Sequence, residues 1–195
     1  MIFFGKKFLF DKKFTKFSLI AFFIFVSCAP PAPVEEETVS ERVSEQQCLR
    51  LLSSAAEYYK NKDWSSTSRL YSDLVDLGCD EGNEEEVFQY WAIAFEFMGK
   101  FDSSEYVLLQ GLKRLPDNVN LSKRLAYAYK RLGNSDKEIF EYEKLTDLIP
   151  DDLEPLNRLN ELYGEVGRYD DQIFILQKIL TIDPNNKNAH GDLAQ

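Results

Sequence analysis

Residues 119–152 read VNLSKRLAYAYKRLGNSDKEIFEYEKLTDLIPDD, and this stretch decides the fold. Leu121, Leu125, Ala128, Tyr129 and Leu132 recur three or four residues apart, the spacing of one helix face. Gly133 interrupts the pattern, and Ile139, Phe140, Tyr142, Leu145, Leu148 and Ile149 then form a second amphipathic stretch that ends at Pro150. The glycine permits a tight reversal between antiparallel helices. The proline cannot continue the second one. The stretch predicts a helical hairpin.

The same punctuation recurs along the chain. Gly99, Gly133 and Gly167 stand 34 residues apart, as do Pro116, Pro150 and Pro184, and each glycine precedes its proline by 17 residues. The prolines open similar turns, Pro116-Asp-Asn, Pro150-Asp-Asp and Pro184-Asn-Asn. Tyr129 and Tyr163 share the register, with Phe95 in their place one unit earlier, and Ala92 and Ala126 supply a small residue where paired helices approach. A fixed period of this length is the signature of a stacked repeat.

On these residues, the segment from 48 to 195 resembles a tetratricopeptide-repeat array. The resemblance implies an all-α fold, a right-handed superhelical array of antiparallel helix pairs. The units are 48–79, 85–118, 119–152 and 153–186, with residues 187–195 beginning a further first helix. The first unit diverges, with Lys62-Asp63-Trp64 in place of Gly99-Lys100-Phe101 or Gly167-Arg168-Tyr169. The usual alanine of the second helix is Thr67, Ser104, Glu138 and Gln172 in turn, and Asn160 replaces the small residue of the fourth first helix. These larger side chains fall where helices come closest.

Ahead of the array lies an address. Lys6, Lys7, Lys12, Lys13 and Lys16 oppose a single acid, Asp11, and residues 17–26 are apolar except for Ser18. A basic start, an apolar run of about ten residues and a small residue at the cut make a secretory signal peptide, residues 1–27. The run is too short to cross a bilayer, which takes about 20 apolar residues. Phe25-Val26-Ser27-Cys28 resembles the lipobox of bacterial lipoproteins, with phenylalanine where leucine is usual. That resemblance implies acylation of Cys28 and anchoring in the bacterial cell envelope. Ala29 after the cysteine implies the periplasmic face of the outer membrane. Residues 28–47, rich in proline and glutamate, read as an extended tether.

The full chain of 195 residues carries a formal charge of −10, and without residues 1–27 it carries −14. That excess repels phosphate backbones and argues against nucleic acid as a partner. It also holds the array away from anionic headgroups. Besides Cys28 the cysteines are Cys48 and Cys79, which an antiparallel hairpin brings to the same end. They read either as a disulfide, which an oxidising envelope compartment preserves, or as two buried thiols. The single histidine, His190, has no Cys or His at ligand spacing and reads as a surface residue. The acid pairs Asp151-Asp152 and Asp170-Asp171, like Glu84-Glu85-Glu86, open helices and complement their dipoles. No phosphate-binding, zinc-protease or hydrolase motif is present. Neither an enzyme, a cofactor, a metal site nor a small-molecule substrate is expected.

In the tetratricopeptide-repeat family the first helices line a concave groove that holds a peptide or a partner helix. By register, the lining here is Tyr59, Gln89, Ile93, Phe97 and Lys123, followed by Tyr127, Lys130, Arg131, Asn157 and Glu161. Aromatic and arginine side chains are frequent anchors of protein interfaces. Lys123 and Asn157 partly fit the family's peptide-carboxylate clamp, whereas Tyr127 and Glu161 do not. The expected function is a lipid-anchored envelope scaffold that binds a protein or peptide segment in this groove, in outer-membrane or secretion-complex assembly. The alternative is an accessory of a cell-wall or envelope enzyme, docking through the convex face.

Overall fold

A computed structural model describes residues 43–194. The signal peptide, Cys28 and most of the tether lie outside the described residues. Within them the chain forms four helical hairpins: α1 (Glu45–Lys60) with α2 (Trp64–Asp76), α3 (Glu84–Phe97) with α4 (Phe101–Arg114), α5 (Val119–Leu132) with α6 (Ser135–Leu148), and α7 (Leu153–Val166) with α8 (Tyr169–Ile182). A short α9 (Lys187–Leu193) follows, and no strand occurs among the described residues.

Local chemistry sets the ends of these helices. Ser44 accepts from the Gln47 amide while the Gln47 side chain accepts from the Ser44 amide, so α1 starts at Glu45, ahead of residue 48. Asn118, Asn134, Asp152 and Asn186 cap α5, α6, α7 and α9 through their side-chain oxygens. Gly133 closes α5 in the left-handed region, at φ 69°. At the corresponding turn of the first unit, that conformation is taken by Lys62, at φ 60°.

Each helix packs on its neighbours in sequence, and α3 packs in addition on α5. The first helices therefore converge and form the inner wall of the stack. The core runs between units as well as within them. Phe88, Ala92, Leu108, Leu121 and Leu125 form one buried cluster across two hairpins, and Leu156, Leu159, Leu162, Leu176 and Ile179 form another with Ile139. In the first unit, Ala55, Tyr71 and Leu74 pack beside Cys79 and Val87. The Sγ atoms of Cys48 and Cys79 lie at bonding distance, with Cα atoms 5.1 Å apart, inside the range a disulfide needs.

The bulky polar residues at close-approach positions are each bonded. Ser104 donates to Glu96 (3.2 Å), whose other oxygen meets Arg124 at 2.8 Å. Glu138 meets Arg158 at 2.8 Å. Gln172 donates to Asn160 (3.1 Å), and Asn160 donates to Asp192 (2.8 Å). The residue reaching back from the following unit is Arg124, Arg158 or Asp192, always 34 positions after the last. Polar links between units replace the close packing that alanine would allow.

Candidate functional site

A cavity of about 570 Å³ opens on the inner wall where α1, α3 and α5 meet. Tyr59, Gln89, Ile93, Phe97, Lys123 and Tyr127 line it, so six of the ten register-predicted residues come together. Phe97 is 65% exposed, and Tyr127 is also exposed. Arg131 donates to the Tyr127 hydroxyl at 2.8 Å and lies over the Phe101 ring at 4.4 Å, which pins the tyrosine at the rim. Large apolar rings held in place against solvent are suited to anchoring a partner side chain.

The remaining predicted residues are placed differently. Lys130 is exposed at the end of α5 and takes part in no ion pair among the described residues. Asn157 and Glu161 lie one unit further along, in a separate polar cavity of about 570 Å³ shared with Asn188 and Asp192 of α9. Glu161 is ion-paired with Arg158 at 2.6 Å. Lys123 lines the first cavity but is bonded to Asp152 at 3.1 Å and to Glu154, and the Glu154 contact raises its pKa. Its charge is committed to the next unit. His190 is exposed, with a ring nitrogen 2.9 Å from the Pro184 carbonyl.

Three lining residues escaped the register reading: Glu96, Asn120 and Arg124. Burial pushes the Glu96 carboxyl above the usual carboxylate range, while Arg124 and the Ser104 hydroxyl pull it back. Asn120 donates to Glu85 at 2.7 Å. The signal that could have found Arg124 is the 34-residue series Tyr90, Arg124, Arg158 and Asp192. Trp64 was also overlooked. It stacks on Phe97 with ring centroids 4.3 Å apart, and Tyr59 packs on Tyr90 at 4.5 Å, so the first two units meet through aromatic rings. Among the described residues no group of three His, Cys, Asp or Glu side chains could hold a metal ion, and no helix is long and apolar enough to cross a membrane.

The profile of the tetratricopeptide repeat matches residues 124–152, which run from α5 through α6 to the following turn. The array is a tetratricopeptide-repeat fold. Solved tetratricopeptide-repeat structures align over most of the chain. MamA AMB-1 superimposes with a TM-score of 0.60 at 20% identity, covering 77% of this chain and 81% of that one. A tetratricopeptide-repeat protein from Parabacteroides merdae ATCC 43184 gives 0.66 at 18% identity, covering 76% of this chain and 58% of that one. The first tetratricopeptide-repeat domain of Spaghetti (RPAP3), solved with the HSP90 peptide SRMEEVD, gives 0.53 at 20% identity, covering 64% and 99%. No curated protein sequence matches the chain.

Proposed function

We propose that this tetratricopeptide-repeat protein is a non-catalytic scaffold that binds a protein segment along its inner wall. The observation that carries the proposal is the cavity where Tyr59, Ile93, Phe97 and Tyr127 converge from three successive first helices. Stacked repeats use such continuous concave surfaces for recognition. The RPAP3 domain holding a short peptide on the same fold supports the reading. We further propose that residues 1–27 are removed, that Cys28 is acylated, and that the array works in a bacterial cell envelope, at the periplasmic face of the outer membrane. The order of basic residues, apolar run, small residue and cysteine supports this. Outer-membrane or secretion-complex assembly is the setting it suits.

Crosslinking in the envelope followed by capture of the full chain tests the groove. A Tyr127→Ala, Arg131→Ala double variant that stays folded should lose its partners, and recovery of every partner would refute the reading.

One observation favours the convex face as a second docking surface. Tyr106, Phe140 and Phe174 stand 34 residues apart on α4, α6 and α8, each more than half exposed. They form an outward aromatic ridge, one ring per unit, suited to docking on an envelope enzyme.

A further inference from the structure

Beside the groove, at the edge where first helices turn into second ones, lies a slot of about 400 Å³. Trp64, the first residue of α2, and Phe97, the last of α3, stack with planes 8° apart, and Tyr59 meets Trp64 edge-on at 5.6 Å. Lys60 and Lys62 complete the lining. Lys62 holds the left-handed turn conformation that Gly99, Gly133 and Gly167 take in the other units. That conformation is strained for a residue with a Cβ. Backbone strain of this kind collects at binding sites, and here it places a cation beside an exposed aromatic stack.

The same edge carries a basic strip. Lys60 and Lys62 belong to its first turn, Lys100 to the second, and Lys130 and Arg131 to the third. None of them joins an ion pair among the described residues. The fourth turn reverses sign with Glu165, Asp170 and Asp171, and the opposite edge carries Asp80, Glu84, Glu85, Glu86, Asp151 and Asp152. An uncompensated cationic strip is thus confined to three turns of an acidic chain.

We propose that this edge recognises an acidic protein segment, one large apolar side chain of which enters the slot formed by Tyr59, Trp64 and Phe97. Its carboxylates run past Lys62 and Lys100 toward Lys130 and Arg131. The proposal rests on the reading of the array as a binder of protein segments, and it names the chemistry of the segment. Tyr59 and Phe97 line both the slot and the groove cavity, so one extended chain can occupy both. A flat anionic bilayer suits the edge less well. It would press against exposed Asp102, Asp136 and Asp170 together with the lysines, whereas a single chain can follow the basic strip alone.

The test uses the full chain in zwitterionic detergent and a fluorescein-labelled peptide with a Phe-Leu pair flanked on both sides by Glu-Asp-Glu. Fluorescence anisotropy should show binding that falls steeply with added salt. The Gln-Asn-Gln version of the peptide should bind much more weakly. Phe97→Ala should weaken binding by about thirtyfold, the loss typical of a hot-spot aromatic. Lys62→Gly relieves the strained turn, so it should resist urea better than wild type and yet bind the peptide more weakly. That result separates a role in binding from a role in folding. The proposal is overturned if wild type does not bind the acidic peptide, or if Phe97→Ala and Lys62→Gly bind it as wild type does. It is equally overturned if phosphatidylglycerol in the micelles displaces the peptide and phosphatidylcholine does not, which would mark a lipid-facing edge. Peptide binding lost in Tyr127→Ala but kept in Phe97→Ala and Lys62→Gly would remove the slot and leave the groove. The reverse pattern, with envelope partners retained by the Tyr127→Ala, Arg131→Ala variant, would remove the groove and leave the slot.

Discussion

Replacing Arg158 should damage the array far more than replacing its partner Glu138, although both belong to one ion pair. Arg158 Nε donates to Glu138 at 2.8 Å, and the glutamate side chain is only 4% exposed against 15% for the arginine. Arg158 also reaches two exposed acids of its own helix, Glu161 at 2.6 Å and Glu165 at 3.7 Å. Arg158→Leu therefore leaves a buried carboxylate with no cation in reach among the described residues, which typically costs about 3–5 kcal/mol. Glu138→Ala leaves the arginine with two acids and partial access to water. Its cost is that of one charged hydrogen bond, about 1.5–3 kcal/mol, and the lower end fits a position where the family places alanine. The double variant Glu138→Ala, Arg158→Leu has no buried charge left and should be more stable than Arg158→Leu alone by roughly 2 kcal/mol, the signature of a coupled pair.

Urea unfolding followed by circular dichroism measures these differences, and amide exchange in α6 and α7 localises them. The second readout matters because repeat arrays unfold in parts. In a thermal melt, Arg158→Leu should lower Tm by on the order of 10 °C. Equal losses in the two single variants, or a double variant as unstable as the sum of both, would refute the reasoning. Either result would mean that the carboxylate is not held as a buried charge by Arg158.

Other outcomes are open to direct measurement. Digestion without reduction should yield a linked Cys48–Cys79 peptide. Breaking the bond should destabilise the first unit by roughly 3–4 kcal/mol on the chain-entropy estimate, given the sequence separation of 31 residues. Glu141 is buried with one carboxylate oxygen unbonded, and burial raises its pKa against the opposing pull of Lys144 and Ser122. The folded state therefore holds its proton to higher pH than the unfolded chain, so this residue costs stability increasingly as pH rises from the ordinary carboxylate range through its raised value. Glu141→Gln should raise stability at pH 7 and flatten that part of the profile in urea titrations at several pH values. Metabolic labelling with a palmitate analogue should mark the wild-type chain and not Cys28→Ala. Changing Tyr106, Phe140 and Phe174 to serine should move stability by no more than about 0.5 kcal/mol each, since all three face solvent. Loss of captured partners in that triple variant would assign docking to the convex face.

The hairpins were legible because two kinds of residue punctuate them at a fixed period. A glycine closes the first helix of three units and a proline follows the second, and neither depends on distant contacts. The inner wall was partly legible for a related reason: residues on one face of α3 and α5 stay on one side when the units stack. Tyr59, Gln89, Ile93, Phe97, Lys123 and Tyr127 do line one cavity. What the register could not supply is how far a long side chain reaches across to the next unit. Lys123 looked like a free base, but Asp152 and Glu154 of the following unit hold it. Trp64 was masked by divergence, because Lys62-Asp63-Trp64 reads as a turn that has lost its glycine and not as the wall of a slot.

The departures at the family's small-residue positions change how the array holds together. Where alanine would let two helices touch, Glu138 and Gln172 instead enter bonds that lead to the next unit. Interaction energy then moves from within hairpins to the boundaries between them, which in a one-dimensional stack raises the cooperativity of unfolding. The same boundaries fix the angle between neighbouring first helices. Glu96–Arg124 ties α3 to α5 at the groove cavity, and Glu138–Arg158 ties α6 to α7. Salt screens such partly buried pairs much less than it screens the exposed lysines of the edge. Ionic strength should therefore alter capture of an acidic segment well before it alters the shape of the wall. A loss of binding at high salt, with helix content and amide protection unchanged, would locate the effect in the exposed cations and not in the scaffold.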